Sequence, residues 1–125
     1  MELDPKHLAY WQKRRKEQQI YNRQLAEKAR NSLSQIVEVL VTEFNASKIV
    51  LFGSLVKGSF GEGSDLDLAV AGTRRYDYFI ALARVNELTD FWIDLKPIED
   101  LDSNFLEKVL TTGEVLFERN VAPEN

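Results

Sequence analysis

The chain opens on a long stretch with no break in it. From Lys6 to Phe44 there is neither glycine nor proline, and Lys, Arg, Glu, Gln, Ala and Leu are abundant. These are good helix formers, so the segment beginning at Pro5 reads as one long helix or two consecutive ones. A single helix of this length would extend roughly 60 Å, more than a small domain spans. Its two halves differ in character. Leu25, Ala29, Leu33, Ile36, Val37, Leu40, Val41 and Phe44 recur at helical spacing and make a core-facing stripe. Before them, Trp11-Gln12-Lys13-Arg14-Arg15-Lys16 is mostly polar, with Leu8, Trp11, Ile20 and Tyr21 as scattered apolar points. The second half is expected to pack on a domain, and the first half to project or meet another chain.

After Asn45 the period changes. Lys48-Ile49-Val50-Leu51-Phe52 is a β-branched and aromatic run that ends at Gly53 and reads as a buried strand. Residues 53–64 form a glycine-rich loop with four of the six glycines. Asp65 to Ala71 alternates with period two and closes at Gly72. A helix is expected over 74–90, with Tyr78, Phe79, Leu82, Val85 and Leu88 or their neighbours inward, and a third strand over 91–98. Asp102 suits a helix N-cap ahead of Phe105, Leu106, Val109 and Leu110, with Gly113 as the stop. Val115-Leu116-Phe117 can add a last short strand. The fold class is α/β: a small mixed sheet of three to four strands, helices packed on one face, preceded by a long N-terminal helix. The expected organisation is a basic helical arm over 1–24, one domain over 25–119 and a tail over 120–125.

Composition narrows the function. With 125 residues, 44% hydrophobic and 29% charged, the chain has the profile of one globular domain. There is no cysteine, which excludes disulfide scaffolds, thiolate metal sites and cysteine nucleophiles. The N-terminal residues carry no apolar run of signal-peptide type, and no stretch approaches a membrane span. A cytoplasmic location without membrane contact is the expectation. The net charge of −4 conceals an asymmetry: residues 1–30 hold eight Lys/Arg against four Asp/Glu, and residues 31–125 hold eight against sixteen. Lys13-Arg14-Arg15-Lys16 beside Tyr10 and Trp11 would suit a nucleic acid. The pI of 5.1 and the acidic remainder argue against that as the main function.

The chemistry lies in the second and third strands. Side chains alternate faces, so Asp65, Asp67, Ala69 and Ala71 share one face while Leu66, Leu68 and Val70 share the other. The apolar face belongs to the core, which leaves two carboxylates side by side on the opposite surface, roughly 6.5 Å apart. Such a pair repels itself, and folding alone does not call for it. A divalent cation such as Mg²⁺, which takes hard oxygen ligands and shares its shell with phosphates, turns the pair into a site. In the third strand Ile93 and Leu95 face one way and Trp92, Asp94 and Lys96 the other. If the strands are neighbours, Asp94 joins the same cation. Three aspartates on two strands suit two ions and an in-line phosphoryl or nucleotidyl displacement. Gly53-Ser54, directly after a strand, lets backbone approach a phosphate. Ser54, Lys57 and Ser64 are the other candidates for holding a nucleotide.

The stretch Gly53-Ser54, ten residues, Asp65-Leu66-Asp67 resembles the signature of the polymerase-beta-like nucleotidyltransferases. The short spacer and the closing segment Phe105 to Glu118 are similar to the minimal nucleotidyltransferase (MNT) branch. The resemblance covers roughly residues 33–119 and leaves out the arm. It implies an enzyme that uses ATP as co-substrate with Mg²⁺, two ions being expected. It further implies an antitoxin of type VII-like action, which transfers AMP to a tyrosine of a cognate all-helical HEPN RNase toxin within a hetero-oligomer. Asp65, Asp67 and Asp94 would then be catalytic and metal-binding, and Gly53 and Ser54 would hold phosphates. One departure is Lys57-Gly58, where the family often has an arginine before the glycine; lysine lacks the bidentate fork. Two alternatives stand beside this reading. One is a small-molecule transferase of aminoglycoside type that needs a partner subunit. The other is a non-catalytic module that masks the toxin by contact.

Overall fold

The computed structural model describes residues 4–120. Helix α1 runs unbroken from Pro5 to Phe44, 40 residues. Asp4 caps it, its side chain accepting from the Lys6 amide at 2.9 Å, and Asn45 ends it in the left-handed conformation. The stripe read from the sequence is the buried one. Ala29, Leu33, Ile36 and Leu40 enter the core together with Val39, and Leu25, Val37, Val41 and Phe44 pack at its margin. From residue 5 to 21 every side chain is exposed, Trp11 to 61%. One helix rather than two is the outcome, because no breaker interrupts the run and half of it is anchored by packing.

Four strands follow: β1 (Lys48–Phe52), β2 (Leu66–Ala71), β3 (Ile93–Pro97) and β4 (Glu114–Glu118). They lie in the order β3-β2-β1-β4. β1 is antiparallel to both β2 and β4, and β2 is parallel to β3. The β2–β3 crossover carries helix α3 (Tyr78–Asn86), entered through a 3₁₀ turn at Arg75–Asp77. A four-residue helical turn, α2 (Ser54–Lys57), occupies the start of the loop expected over 53–64.

The first face of the sheet is the main core. Ile49, Leu51, Leu66, Leu68 and Val70, all with no exposed surface, meet α1 and the Ala81 and Val85 side of α3. The arrangement of helices on one face holds for α1 and α3. Helix α4 (Ser103–Thr112) lies against the second face, where Val109 and Phe105 pack on Val50, Ala69 and Phe52. Phe52 and Phe105 meet edge to face with centroids 5.7 Å apart. These second-face residues are apolar and need cover, and α4 supplies it. Asp102 caps α4 as expected, accepting from the Phe105 amide at 2.9 Å.

One local expectation shifts. The helix over 74–90 is shorter, and Phe79 points outward, 84% exposed, while Ala81 takes the inward place. Trp92, on the Asp94 face of β3, is 75% exposed. Leu110 likewise stands out from α4. The tail expected over 120–125 lies, apart from Asn120, outside the described residues. Among the described residues no helix is long and apolar enough to cross a membrane.

Candidate active site

The site forms where β1, β2 and β3 present their ends on the second face, beside the patch on which α4 packs. Asp67 stands between two cross-strand partners, Phe52 of β1 and Asp94 of β3. Leucine on either side of it anchors the strand: Leu66 and Leu68 are fully buried on the opposite face, so Asp67 is forced outward. Parallel pairing then sets Asp94 directly beside it, as the alternation of β3 required. Asp65, exposed, precedes β2 by one residue.

The register of β3 has its own clamp, which the sequence did not announce. The Asn86 side chain at the end of α3 accepts from the Ile93 amide at 2.9 Å and donates to the Ile93 carbonyl at 3.1 Å. The Leu66 amide also donates to the Trp92 carbonyl at 2.8 Å. The start of β3 is thereby fixed one and two residues before Asp94. A lone helical Asn carries no sequence signal for such a role; only the helix-to-strand spacing reveals it.

Gly53 closes the site on the β1 side. Its backbone has φ +82°, a conformation that side chains disfavour. A Cβ there would collide with Asp67 Oδ2 and stand 3.1 Å from Asp67 Cγ. The absence of a side chain makes room for that carboxylate oxygen. Ser54 begins the turn that follows. The Lys57 amide donates to the Gly53 carbonyl at 3.1 Å, and the exposed Lys57 side chain ends the turn. Ser64 closes a turn of its own: its Oγ accepts from the Gly61 amide at 3.0 Å and its amide donates to the Gly61 carbonyl. The hydroxyl proton of Ser64 remains to donate elsewhere.

The electrostatics are those of crowded carboxylates. Asp67 is held above the ordinary carboxylate pKa, first by its partial burial and then by the charges of Asp94 and Asp65; Lys96 and Lys57 pull the other way. Lys96, which sits on the same face, meets Asp94 Oδ2 with its ammonium at 3.2 Å. Among the described residues no three acidic or imidazole side chains are gathered into a ready ligand cluster. The structure brings Asp67 and Asp94 together; Asp65 is felt by Asp67 as a charge but stands at the exposed margin. The donor set still fits a hard divalent cation. Its donors are carboxylate oxygens alone, a neighbouring negative charge penalises the ionised form, and Gly53 makes room for one oxygen.

Comparison with known proteins gives the arrangement its class. The model of the family described as polymerase beta, nucleotidyltransferase matches residues 34–122. The chain belongs to that family and is a nucleotidyltransferase. A Methanocaldococcus jannaschii protein named "Putative protein adenylyltransferase" is 28% identical over 95 residues, covering 74% of this chain and 90% of that protein. Among solved structures, a chain described as a "putative minimal nucleotidyltransferase" aligns with TM-score 0.62 and 25% identity, over 70% of this chain and 92% of its own. A chain of a toxin–antitoxin complex with AMP-PNP aligns at 0.58 and 21% identity, over 70% and 72%. A chain of the complex between tri-AMPylated Shewanella oneidensis HEPN toxin and MNT antitoxin aligns at 0.51 and 20% identity, over 76% and 71%. The last two are likenesses of fold. The family match begins at residue 34, inside the packed half of α1, and does not include the exposed arm.

Proposed function

We propose that this protein is a Mg²⁺-dependent adenylyltransferase that acts as an antitoxin, transferring AMP from ATP to a tyrosine of a cognate HEPN toxin. The observation that carries the reading is Gly53 set against Asp67, with Asp94 beside Asp67 in register. A phosphate-tolerant turn and paired carboxylates on adjacent strand ends are the two halves that nucleotidyl transfer needs. The protein adenylyltransferase relative and the fold shared with toxin–antitoxin chains support the choice of nucleotide and acceptor.

Asp65, Asp67 and Asp94 would hold the divalent cation, two ions being the proposal, and Gly53, Ser54, Lys57 and Ser64 would face the nucleotide. A metal held there would supply charge neutralisation at the α-phosphate and lower the pKa of the attacking hydroxyl. The residues of the chain do the rest. The Gly53–Ser54 backbone and the Ser54 hydroxyl seat the phosphates, and Lys57 offsets charge on the leaving group. The tyrosine oxygen attacks the α-phosphorus, the bond to the β-phosphate oxygen breaks, and pyrophosphate departs with its electron pair. Asp94, on the open edge strand β3, takes the phenolic proton. The acceptor then approaches from the β3 side, where Trp92 is exposed.

Incubation with Mg²⁺, each nucleoside triphosphate and the product of the adjacent gene, followed by intact-mass measurement, tests this. An added AMP mass on the partner, absent with Asp65→Asn/Asp67→Asn, is the expected result. A stable complex with no mass change would replace transfer by masking. Transfer only to a small molecule would replace the protein acceptor.

A further inference from the structure

A lysine of the chain itself meets the carboxylate site, and the proposed transfer reaction does not use it. Lys96 lies two residues beyond Asp94 on β3, so strand alternation returns its side chain to the same face. It pairs in register with Ala69, two residues beyond Asp67 on β2. Its ammonium reaches back along the strand to Asp94 Oδ2 at 3.2 Å, and both side chains remain partly exposed. Each other lysine–carboxylate or arginine–carboxylate pair among the described residues involves neither Asp67 nor Asp94: Arg30–Glu114, Lys48–Glu118, Arg75–Asp100 and Arg84–Glu43.

We propose that Lys96 is an exchangeable counter-cation, occupying Asp94 in the metal-free protein and surrendering it when a divalent cation enters. The inference rests on the reading of Asp65, Asp67 and Asp94 as the metal-holding set. A divalent cation at Asp94 brings two positive charges beside the Lys96 ammonium, and the half-exposed pair is loose enough for Lys96 to give way. Metal entry is thus a competition in which one positive charge is displaced by two. Lys96 acts here as a positioning residue, holding Asp94 in place beside Asp67 between turnovers. Once released, the ammonium remains on the same face and is free to meet a phosphate oxygen.

Binding of Mn²⁺ without nucleotide, measured by electron paramagnetic resonance on the full chain, separates the possibilities. Lys96→Met keeps the length of the side chain and removes the competitor, and Mn²⁺ should bind about fivefold more tightly than in the wild type. Lys96→Arg retains the charge and should stay near wild-type affinity. The Mn²⁺-induced rise in Tm should be larger for Lys96→Met than for the wild type, because its metal-free carboxylates have lost their partner. Equal Mn²⁺ affinity in the wild type and Lys96→Met, or weaker binding in the latter, would overturn the exchange while leaving the metal site in place. Tighter binding in both variants would overturn it too, since charge would not be the cause. Failure of all three proteins to bind Mn²⁺ would overturn the metal site and the exchange together.

Discussion

The two faces of the sheet are built from the same strands and put to opposite uses. On the first, Ile49, Leu51, Leu66, Leu68 and Val70 are sealed from water by α1 and α3. On the second, α4 packs on Val50, Ala69 and Phe52, and the β2–β3 side of the same rows carries Asp67, Asp94 and Lys96. In β2 the switch occurs between one residue and the next: Leu66 and Leu68 fix the strand, and Asp67 between them has no choice of direction. The apolar face holds the carboxylates in a place that their own repulsion opposes. Stability and chemistry are separable in this molecule because strand alternation separates them.

The largest effect should follow from filling the gap at Gly53. Gly53→Ala places a methyl group onto Asp67 Oδ2 at a backbone φ of +82°. Transferase activity should fall by about a hundredfold or more, the scale of an ångström-sized misplacement at a reacting centre, while circular dichroism remains that of the wild type. A residual activity near the wild-type level would mean that the carboxylate oxygen facing Gly53 is not used.

Leu68→Ala tests the other face. Leu68 has no exposed surface, and removing it should cost about 2–5 kcal/mol in urea denaturation. Activity per folded molecule should change little at low temperature. A selective loss of activity in a fully folded variant would break the separation of the two faces.

A smaller and opposite effect is expected from Asp67→Asn. Asp67 has a raised pKa in the folded chain, so the folded state holds its proton more tightly than the unfolded state does. Its contribution favours folding below the ordinary carboxylate pKa and is lost as pH rises through the higher folded value. At pH 7 without metal, the variant should therefore melt a few degrees above the wild type. That gap should narrow as the pH is lowered towards the carboxylate range. Differential scanning calorimetry across pH 4.5–7.5 would check both, and a lower Tm for the variant at every pH would contradict the account.

Much of this was legible in the sequence because it follows from short-range periodicity. The alternation around Leu66-Asp67-Leu68 fixed which side Asp67 takes, and the apolar run at Ile93 and Leu95 did the same for Asp94. The stripe from Leu25 to Phe44 marked the packed half of α1. What was not legible depends on contacts far apart in the chain. Nothing local to Phe105 or Val109 tells which face of the sheet α4 will choose; the apolar positions Val50 and Ala69 decide that. Phe79 is as hydrophobic as any core residue, yet the turn at Arg75–Asp77 sets the phase of α3 so that Ala81 and Val85 point inward. The bonds from Asn86 to Ile93 and from Lys96 to Asp94 need the crossover to be closed before either partner is in reach.

The carboxylates of Asp67 and Asp94 on the second face are, in this reading, the catalytic centre. Anomalous diffraction from crystals grown with Mn²⁺ and a non-hydrolysable ATP analogue would test it most directly. Manganese density is expected at the carboxylates of Asp67 and Asp94, with the triphosphate near Gly53 and Ser54. Manganese and nucleotide bound together at any other part of the molecule, with Asp67 and Asp94 untouched, would contradict it.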